Sequence, residues 1–461
     1  MLKLYDTYAR KIREFVPIKD KTVGLYTCGP TVYNFAHIGN LKTYIVEDIL
    51  KRVLTYDGYS VRHVMNITDV GHLTSDQDSG EDKLEKGAER EHRSVWELAD
   101  FYARSFFDDL KLLNIVSPDI TAKATEHIKD QLAIIEILAK KGFAYETKQA
   151  VYFDVSKFPD YSKLTGQKLD EKQTSRQEVV QDPDKKHPAD FALWFKLAGR
   201  FENHVMHWPS PFGEGFPGWH IECSAMSAKY LGQPFDIHTG GIDHVPVHHA
   251  NEIAQSQAAF DKPLANYWIH SEYLLINQGK MAKSEGNFYR LKDVVDKGFD
   301  PLAFRYLVFA SHYRSKMNFS WESLSAAQNA LRSLYETAAG IKVVGKTIPK
   351  KYWDDFSQAL NDDLNTPKAL AVIWDMLRSS EPEENKLAAL FKFDEVLGLN
   401  LKEAWETNQN IPADVKDLVL ARDKAREEKD FTRSDSLRKD LESKGFIVND
   451  TPDGTKIKKK F

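Results

Sequence analysis

The stretch Thr27-Cys28-Gly29-Pro30-Thr31-Val32-Tyr33-Asn34-Phe35-Ala36-His37-Ile38-Gly39-Asn40 decides how the chain is read. The residues before it, 22–27, run apolar and predict a buried strand. Behind it, Leu41, Tyr44, Ile45, Ile49, Leu50, Val53 and Leu54 recur at helical spacing. The stretch is therefore a strand-to-helix crossing with glycine, proline and histidine in the turn. In an open α/β sheet, ligands bind at the carboxyl ends of strands, and a helix N-terminus is a natural seat for phosphate. The amides at the helix start and the His37 ring are thus candidate donors to a phosphate, Gly39 allows close approach, and Cys28 faces the same crevice.

Outward from there, a second strand is expected at 61–68, ending in Asp69-Val70-Gly71-His72. A charged segment, 79–93, precedes a helix that opens on Ser94 with Glu97 in capping-box spacing. A helix over 125–141 stops at Gly142. Strand-like pieces follow at 143–145 and 151–155, then an aperiodic polar region, 156–190, then a strand at 191–195. Alternation resumes with a helix over 218–231, a short strand at 235–238, the turn Thr239-Gly240-Gly241-Ile242-Asp243, a helix over 248–260 and a strand at 273–276. After about 300 the pattern is helix upon helix, beginning at the cap-and-proline pair Asp300-Pro301. Residues 400–413 read as a linker. Two helices, 414–429 and 433–444, and a hairpin turned by Thr451-Pro452-Asp453-Gly454 complete the pattern.

A chain of 461 residues suggests roughly three domains. No apolar run reaches the length of a membrane span, and the first six residues carry no signal-peptide core. Cys28 and Cys223 are the two cysteines, too few for a disulfide framework, so a reducing, cytoplasmic compartment is expected. The net charge of -5 excludes a globally basic nucleic-acid binder; any such surface must be local.

Three further motifs carry chemistry. Gly279-Lys280-Met281-Ala282-Lys283-Ser284-Glu285-Gly286-Asn287 places two lysines three apart in a glycine-bounded loop. Such a loop suits a triphosphate, whose transition state needs fixed positive charge; alone, it could equally be a solvated turn. In Gly240-Gly241-Ile242-Asp243 the glycines admit a ribose and the aspartate accepts from hydroxyls, although a turn with an aspartate is commonplace. His248 and Glu252, four apart, share one helix face. With Cys28 and Cys223 they make a plausible tetrahedral zinc set. By spacing alone, His238, His244 and His249 are equally placed, and two buried cysteines beside a solvated His/Glu pair remain the plainer alternative.

Together these residues resemble the class I aminoacyl-tRNA synthetases, and within them the cysteinyl-tRNA synthetases. The resemblance rests on residues 26–33, on Gly218-Trp-His-Ile-Glu-Cys-Ser-Ala-Met226, on His248-His-Ala-Asn-Glu-Ile-Ala-Gln-Ser256, on His312-Tyr-Arg314 and on 425–455, and covers essentially the whole chain. It implies a Rossmann-type parallel-sheet catalytic domain split by an insertion (1–120 and 216–300 around 121–215), a helical bundle domain at 301–400 and a small mixed α/β anticodon-binding domain at 414–461. It implies zinc on Cys28, Cys223, His248 and Glu252. ATP would meet Thr31, His37, Gly39, Asn40, Gly240, Asp243, Lys280 and Lys283, with His37, Asn40 and the two lysines catalytic and Mg2+ accompanying the triphosphate. L-cysteine would meet Gly29, Thr68, Trp219 and His238. Arg422, Arg426, Lys429, Arg433 and Arg438 become candidate contacts to tRNA(Cys), and a monomer is implied. Two positions depart from the usual signatures: Asn40 stands where a second histidine is usual, and Ala282 where a serine is. Ligases that join cysteine to an amino sugar resemble the same core, but lack the terminal domain in this form. A non-catalytic tRNA-binding relative would not need the metal ligands and both lysines.

Overall fold

The computed structural model describes residues 1–71, 73–75, 79–166, 182–276, 279–280, 288–409, 412–451 and 454–459. Five parallel strands form the central sheet in the order Ala265–Ser271, Phe235–Gly241, Thr22–Thr27, Ser60–Ile67, Ile120–Lys123. Thr22–Thr27 is laid down first and lies in the middle. The next two strands extend the sheet to one side and the last two to the other. The order reverses between Thr22–Thr27 and Phe235–Gly241, and a sheet opens a crevice at the carboxyl ends of such a switch point.

Several elements differ from the sequence expectation. The strand expected at 235–238 runs on to Gly241, so both glycines end a strand rather than form a turn. Ala265–Ser271 was not expected, because its residues neither alternate nor run apolar; pairing from Phe235↔Ala265 to Gly241↔Ser271 makes it a strand. The segment 125–141 begins as a 3-10 turn, Ala124–His127, and is α-helical over Ile128–Lys140. The charged segment 79–93 holds the strand Ser79–Asp82 and the helix Lys83–Glu91. The supposed linker contains the helix Leu401–Gln409, because Leu401 is fully buried and Trp405 Nε1 donates to the Ile341 carbonyl at 2.7 Å. The capping box of Ser94 and Glu97 is present as read. The insertion forms a four-stranded antiparallel sheet, Gly215–Pro217, Phe191–Lys196, Ala150–Phe153 and Ala144–Glu146.

The helix Ile38–Tyr56 is the hub. Thirteen of its 19 residues are buried, so it faces the sheet on one side and the helical block on the other. One apolar core runs from Val23 and Leu25 through this helix to Phe304, Phe393 and Leu397. The helix therefore buries charges too. Asp48 meets Arg305 of Pro301–Phe309 and Arg52 one turn on. His312-Tyr-Arg314, a motif without an obvious task in the sequence, converges on Asp363: Tyr313 OH donates at 2.7 Å and Arg314 Nε at 2.6 Å. Among the described residues, no helix is long and apolar enough to cross a membrane.

Candidate active site

A cleft of about 400 Å3 opens at the switch point. Of the residues singled out in the sequence, Cys28, Gly29, Thr31, His37, Gly39, Asn40, Trp219, Asp243 and His248 line it. Cys223, Glu252, Thr68 and His238 lie buried behind that surface. Lys283 is outside the described residues; the backbone of Lys280 pairs with Leu275.

Gly29 ends up where only glycine fits: a Cβ there would sit 1.6 Å from the Asn66 carbonyl oxygen. Its N–H donates to Asn66 Oδ1 at 2.8 Å. From Asn66 a buried chain of bonds runs on to Thr68 Oγ1 (3.2 Å) and Glu222 Oε2 (2.8 Å). The Thr68 hydroxyl is thus engaged inside the protein. Gly240 is absent from the cleft as well. A Cβ on it would approach His244 Nδ1 to 2.7 Å and His249 Cε1 to 2.9 Å, so its bareness makes room for histidines; Gly241 and Asp243 face the cleft instead.

The metal-type cluster is assembled from three elements. Cys28 follows the central strand, Cys223 lies on Trp219–Leu231, and His248 and Glu252 open His248–Phe260. One ligand atom from each lies within 4.8 Å of all the others, and Cys28, His238, His249 and Glu252 satisfy the same condition. His244 belongs to neither group. His248 Nε2 and Glu252 Oε1 are 2.9 Å apart, one turn of the helix from each other. The remaining valences are tied back, as expected of ligand support. His238 Nε2 meets Glu252 Oε2 at 2.8 Å, His220 Nδ1 meets His248 Nδ1 at 2.9 Å, and His249 Nδ1 meets His270 Nε2 at 2.7 Å. Trp219 stacks on the His248 ring at 4.2 Å.

Electrostatics prepare the same set. Burial, then the neighbouring Cys223 sulfur, push the Cys28 thiol well up. Burial also opposes ionisation of Cys223, but the Cys28 thiol donating to it and nearby His248 bring it down to about 6. Burial disfavours a charged His248, while Glu252 and Cys223 raise it to about 10. Glu252 is held below the usual carboxylate range despite its burial, by His238 and His248. Two buried cysteines, a histidine and a carboxylate within these distances fit a divalent zinc-type ion once their protons are released, with bonds of about 2.0–2.3 Å.

The helix start differs from the simple phosphate seat read in the sequence. His37 is the N-cap of Ile38–Tyr56: its Nδ1 accepts from Asn40 N–H at 3.1 Å, and Asn40 Oδ1 accepts from His37 N–H at 3.2 Å. Ile38 N–H donates to the Tyr289 carbonyl at 2.9 Å, and Leu41 N–H to the His37 carbonyl. Among the described residues, that leaves Gly39 N–H as the first-turn amide without a protein partner. Tyr289, just after the lysine loop, thus takes one amide of the helix start and the His37 ring another. Phe288 packs edge-to-face on His37 at 5.3 Å. No periodicity signals these contacts, and they were missed in the sequence. Lys42 was missed too: it is buried and donates to Ser271 Oγ at 3.0 Å and the Glu272 carbonyl at 2.6 Å, and burial lowers its ammonium to about 8.

At the far end, Arg422 is not a surface residue. It is 1% exposed and grips both oxygens of Asp450 at 2.9 and 2.8 Å, so it holds the terminal unit together. Arg426 also reaches Asp450, at 3.2 Å. Lys429 and Arg433 stay exposed, beside the Phe431 ring, which is 62% exposed.

Comparison with known proteins agrees with this geometry. A family model described as the tRNA synthetases class I (C) catalytic domain matches residues 14–329. A DALR domain model matches 355–402, and the cysteinyl-tRNA ligase anticodon binding domain matches 408–457. A cysteine–tRNA ligase of Burkholderia lata is 49% identical over 457 residues, covering 99% of this chain and 96% of that protein. One from Treponema denticola is 42% identical over 492 residues, covering 99% of each. The solved Mycobacterium tuberculosis methionyl-tRNA synthetase bound by methionyl-adenylate is similar in fold, with a TM-score of 0.55 at 14% identity over 84% of this chain and 91% of that one. By the catalytic-domain match, the terminal-domain match and full-length relatives well above the level of chance similarity, this chain belongs to the cysteine–tRNA ligase family of class I aminoacyl-tRNA synthetases.

Proposed function

We propose that the chain activates L-cysteine with ATP and transfers the cysteinyl group to the terminal ribose of tRNA(Cys), acting as a monomer in the cytoplasm. One observation carries the reading: a single cleft is lined by Cys28 and His248 of the thiolate–imidazole cluster and by His37 and Gly39 of the helix start. A sulfur-seeking donor set and a nucleotide-type helix start thus share one cavity. A carboxylate oxygen of cysteine attacks the α-phosphorus, the bond to the bridging oxygen breaks, and pyrophosphate leaves. A ribose hydroxyl, the 2′-hydroxyl first, then attacks the acyl carbon and AMP departs. Neither step needs a protein nucleophile; positioning and charge stabilisation suffice. His37, Gly39, Thr31 and Asp243 are assigned to ATP, with Gly240 shaping that wall. Lys280 and Lys283 are assigned to the triphosphate with its Mg2+. Gly29 and Trp219 face the amino acid, with Thr68 and His238 behind them.

Cys28, Cys223, His248 and Glu252 are assigned to zinc rather than the His238/His249 alternative, because His248 borders the cleft and His238 and His249 do not. When bound, zinc supplies a soft Lewis-acidic seat that takes a thiolate and discriminates against a serine hydroxyl. An apolar pocket alone separates such near-isosteres by only about 10- to 200-fold.

The experiment is cysteine-dependent ATP–pyrophosphate exchange by the full chain, followed by transfer to tRNA. Exchange and transfer together are expected. Absence of exchange sinks the proposal, and exchange without transfer favours an amino-sugar ligase. The helical block at 301–400 and the terminal unit at 414–461 are assigned to the anticodon end. Its exposed Phe431, flanked by Lys429 and Arg433, suits stacking of an unpaired base, which is worth about 1–3 kcal/mol. Phe431→Ala is expected to raise the KM for tRNA about tenfold with exchange untouched; an unchanged KM would remove this contact.

A further inference from the structure

We propose that Asn40 is a positioning residue: its side-chain oxygen, by taking the His37 backbone N–H, holds the cap geometry in which the backbone N–H of residue 40 meets Nδ1 and keeps the ring an Nε2–H donor, with Phe288 holding the ring plane. The proposal rests on the reading of the cleft as the ATP site. His37 has the extended backbone of an N-cap, and Asn40 is the third helical residue. The two residues exchange hydrogen bonds: backbone N–H of Asn40 into Nδ1 of His37, and backbone N–H of His37 into Oδ1 of Asn40. A ring nitrogen that accepts a hydrogen bond carries no proton, so the neutral His37 ring holds its proton on Nε2. His37 is thereby a fixed N–H donor, not an acceptor.

Two contacts from another segment complete the arrangement. Phe288 meets the His37 ring edge-to-face, at 5.3 Å and 84°, which restricts rotation of the imidazole. The carbonyl of neighbouring Tyr289 takes Ile38 N–H, which pins the helix start. His37, Asn40 and Phe288 all line the cleft. The side-chain oxygen of Asn40 is committed to His37, so Asn40 acts on a bound nucleotide through the histidine. The molecule shows that the same box needs no amide. Glu97 Oε2 takes Ser94 N–H at 3.1 Å, and Ser323 Oγ takes Ser320 N–H at 3.1 Å, at the matching positions of two other helices. Serine can therefore replace the cap but not an amide donor.

The test compares Asn40→Ala, Asn40→Ser and Phe288→Leu in the full chain. One readout is the ring 15N shifts of histidine-labelled protein, with His37 assigned by its loss in His37→Gln; the other is kcat/KM for ATP in pyrophosphate exchange. The wild-type ring is expected as the Nε2–H tautomer. Asn40→Ala should show mixed tautomers and about a fivefold loss in kcat/KM, the loss of a typical cap. Asn40→Ser should restore the shifts and most of the activity, and Phe288→Leu should broaden the His37 signals. Equal losses in the serine and alanine variants with unchanged ring shifts would overturn the proposal in favour of a direct amide–phosphate contact. An alanine variant unchanged in both readouts would overturn it outright. The ring shifts need no nucleotide, so a failure of exchange in the wild type would sink the functional reading while the spectrum still decides the role of Asn40.

Discussion

Cys223→Ser is expected to leave the chain without its metal and without its preference for cysteine over serine. Cys223 is 0% exposed, and the Cys28 thiol and His248 beside it favour its thiolate against the cost of burial. A serine hydroxyl stays neutral and is a poor zinc ligand. Zinc content should fall well below one per chain by mass spectrometry, since a neutral hydroxyl replaces a thiolate ligand. Discrimination in exchange should fall toward the about 10- to 200-fold that shape alone can supply. Chelation should lower the melting temperature of the wild type and not of the variant, which separates metal loss from simple misfolding. Unchanged zinc and unchanged selectivity would remove the metal account. The wild-type cluster also predicts the pH response of loading. Cys28 is pushed well up and His248 is raised to about 10, so both carry protons near neutrality. Zinc uptake must displace them, hence it releases protons and weakens as pH falls.

Arg305→Met is expected to destabilise the chain by about 3–5 kcal/mol, the cost of breaking a buried ion pair from one side. Arg305 is 0% exposed. Its Nε donates to the Leu397 carbonyl at 2.6 Å, its Nη1 to the Leu113 carbonyl at 3.0 Å, and its Nη2 to the Asp48 carboxylate. Methionine fills the space but leaves both carbonyls without that donor and takes one of the two guanidinium partners from Asp48 Oδ2. Asp48 keeps Arg52 Nε and Val116 N–H, each at 2.8 Å, but has lost its fully buried partner. The measurement is the urea midpoint followed by circular dichroism. Arg305→Lys should recover little, because a single ammonium does not span three acceptors held in a planar fork. An unchanged midpoint in the methionine variant would show that the knot joining the Ile38–Tyr56 helix to the helical block adds nothing to stability.

The legible parts of the chain are those whose signal is local. The strand before Cys28 and the helix after His37 follow from apolar spacing, and the caps at Ser94 and Asp300 from residue type. Where packing overrides composition, the reading failed: Ala265–Ser271 is a strand because Phe235–Gly241 lies beside it, and Leu401–Gln409 is a helix because Leu401 and Trp405 are taken into the core. The candidate site divides the same way. Residue types and spacing identified the thiols, the His248/Glu252 pair and the His37 turn. Four histidines compete for the thiols by spacing, and approach in space alone removes His244 and sets His238 and His249 deep behind the cleft.

The sequence by itself determined the α/β alternation, the break to a helical second half, and the chemistry on offer at Cys28, Cys223, His248, Glu252 and His37, because these are properties of residues and of their near neighbours. Only the tertiary structure decided who satisfies whom. Arg422 turned from a candidate RNA contact into an internal tie to Asp450, Gly240 made room for histidines, and two of the helix-start amides were taken by His37 and Tyr289. The physical reason is common to all three. A buried donor or acceptor must find a partner, and that partner is often set by the approach of segments distant in the chain, which no local pattern encodes.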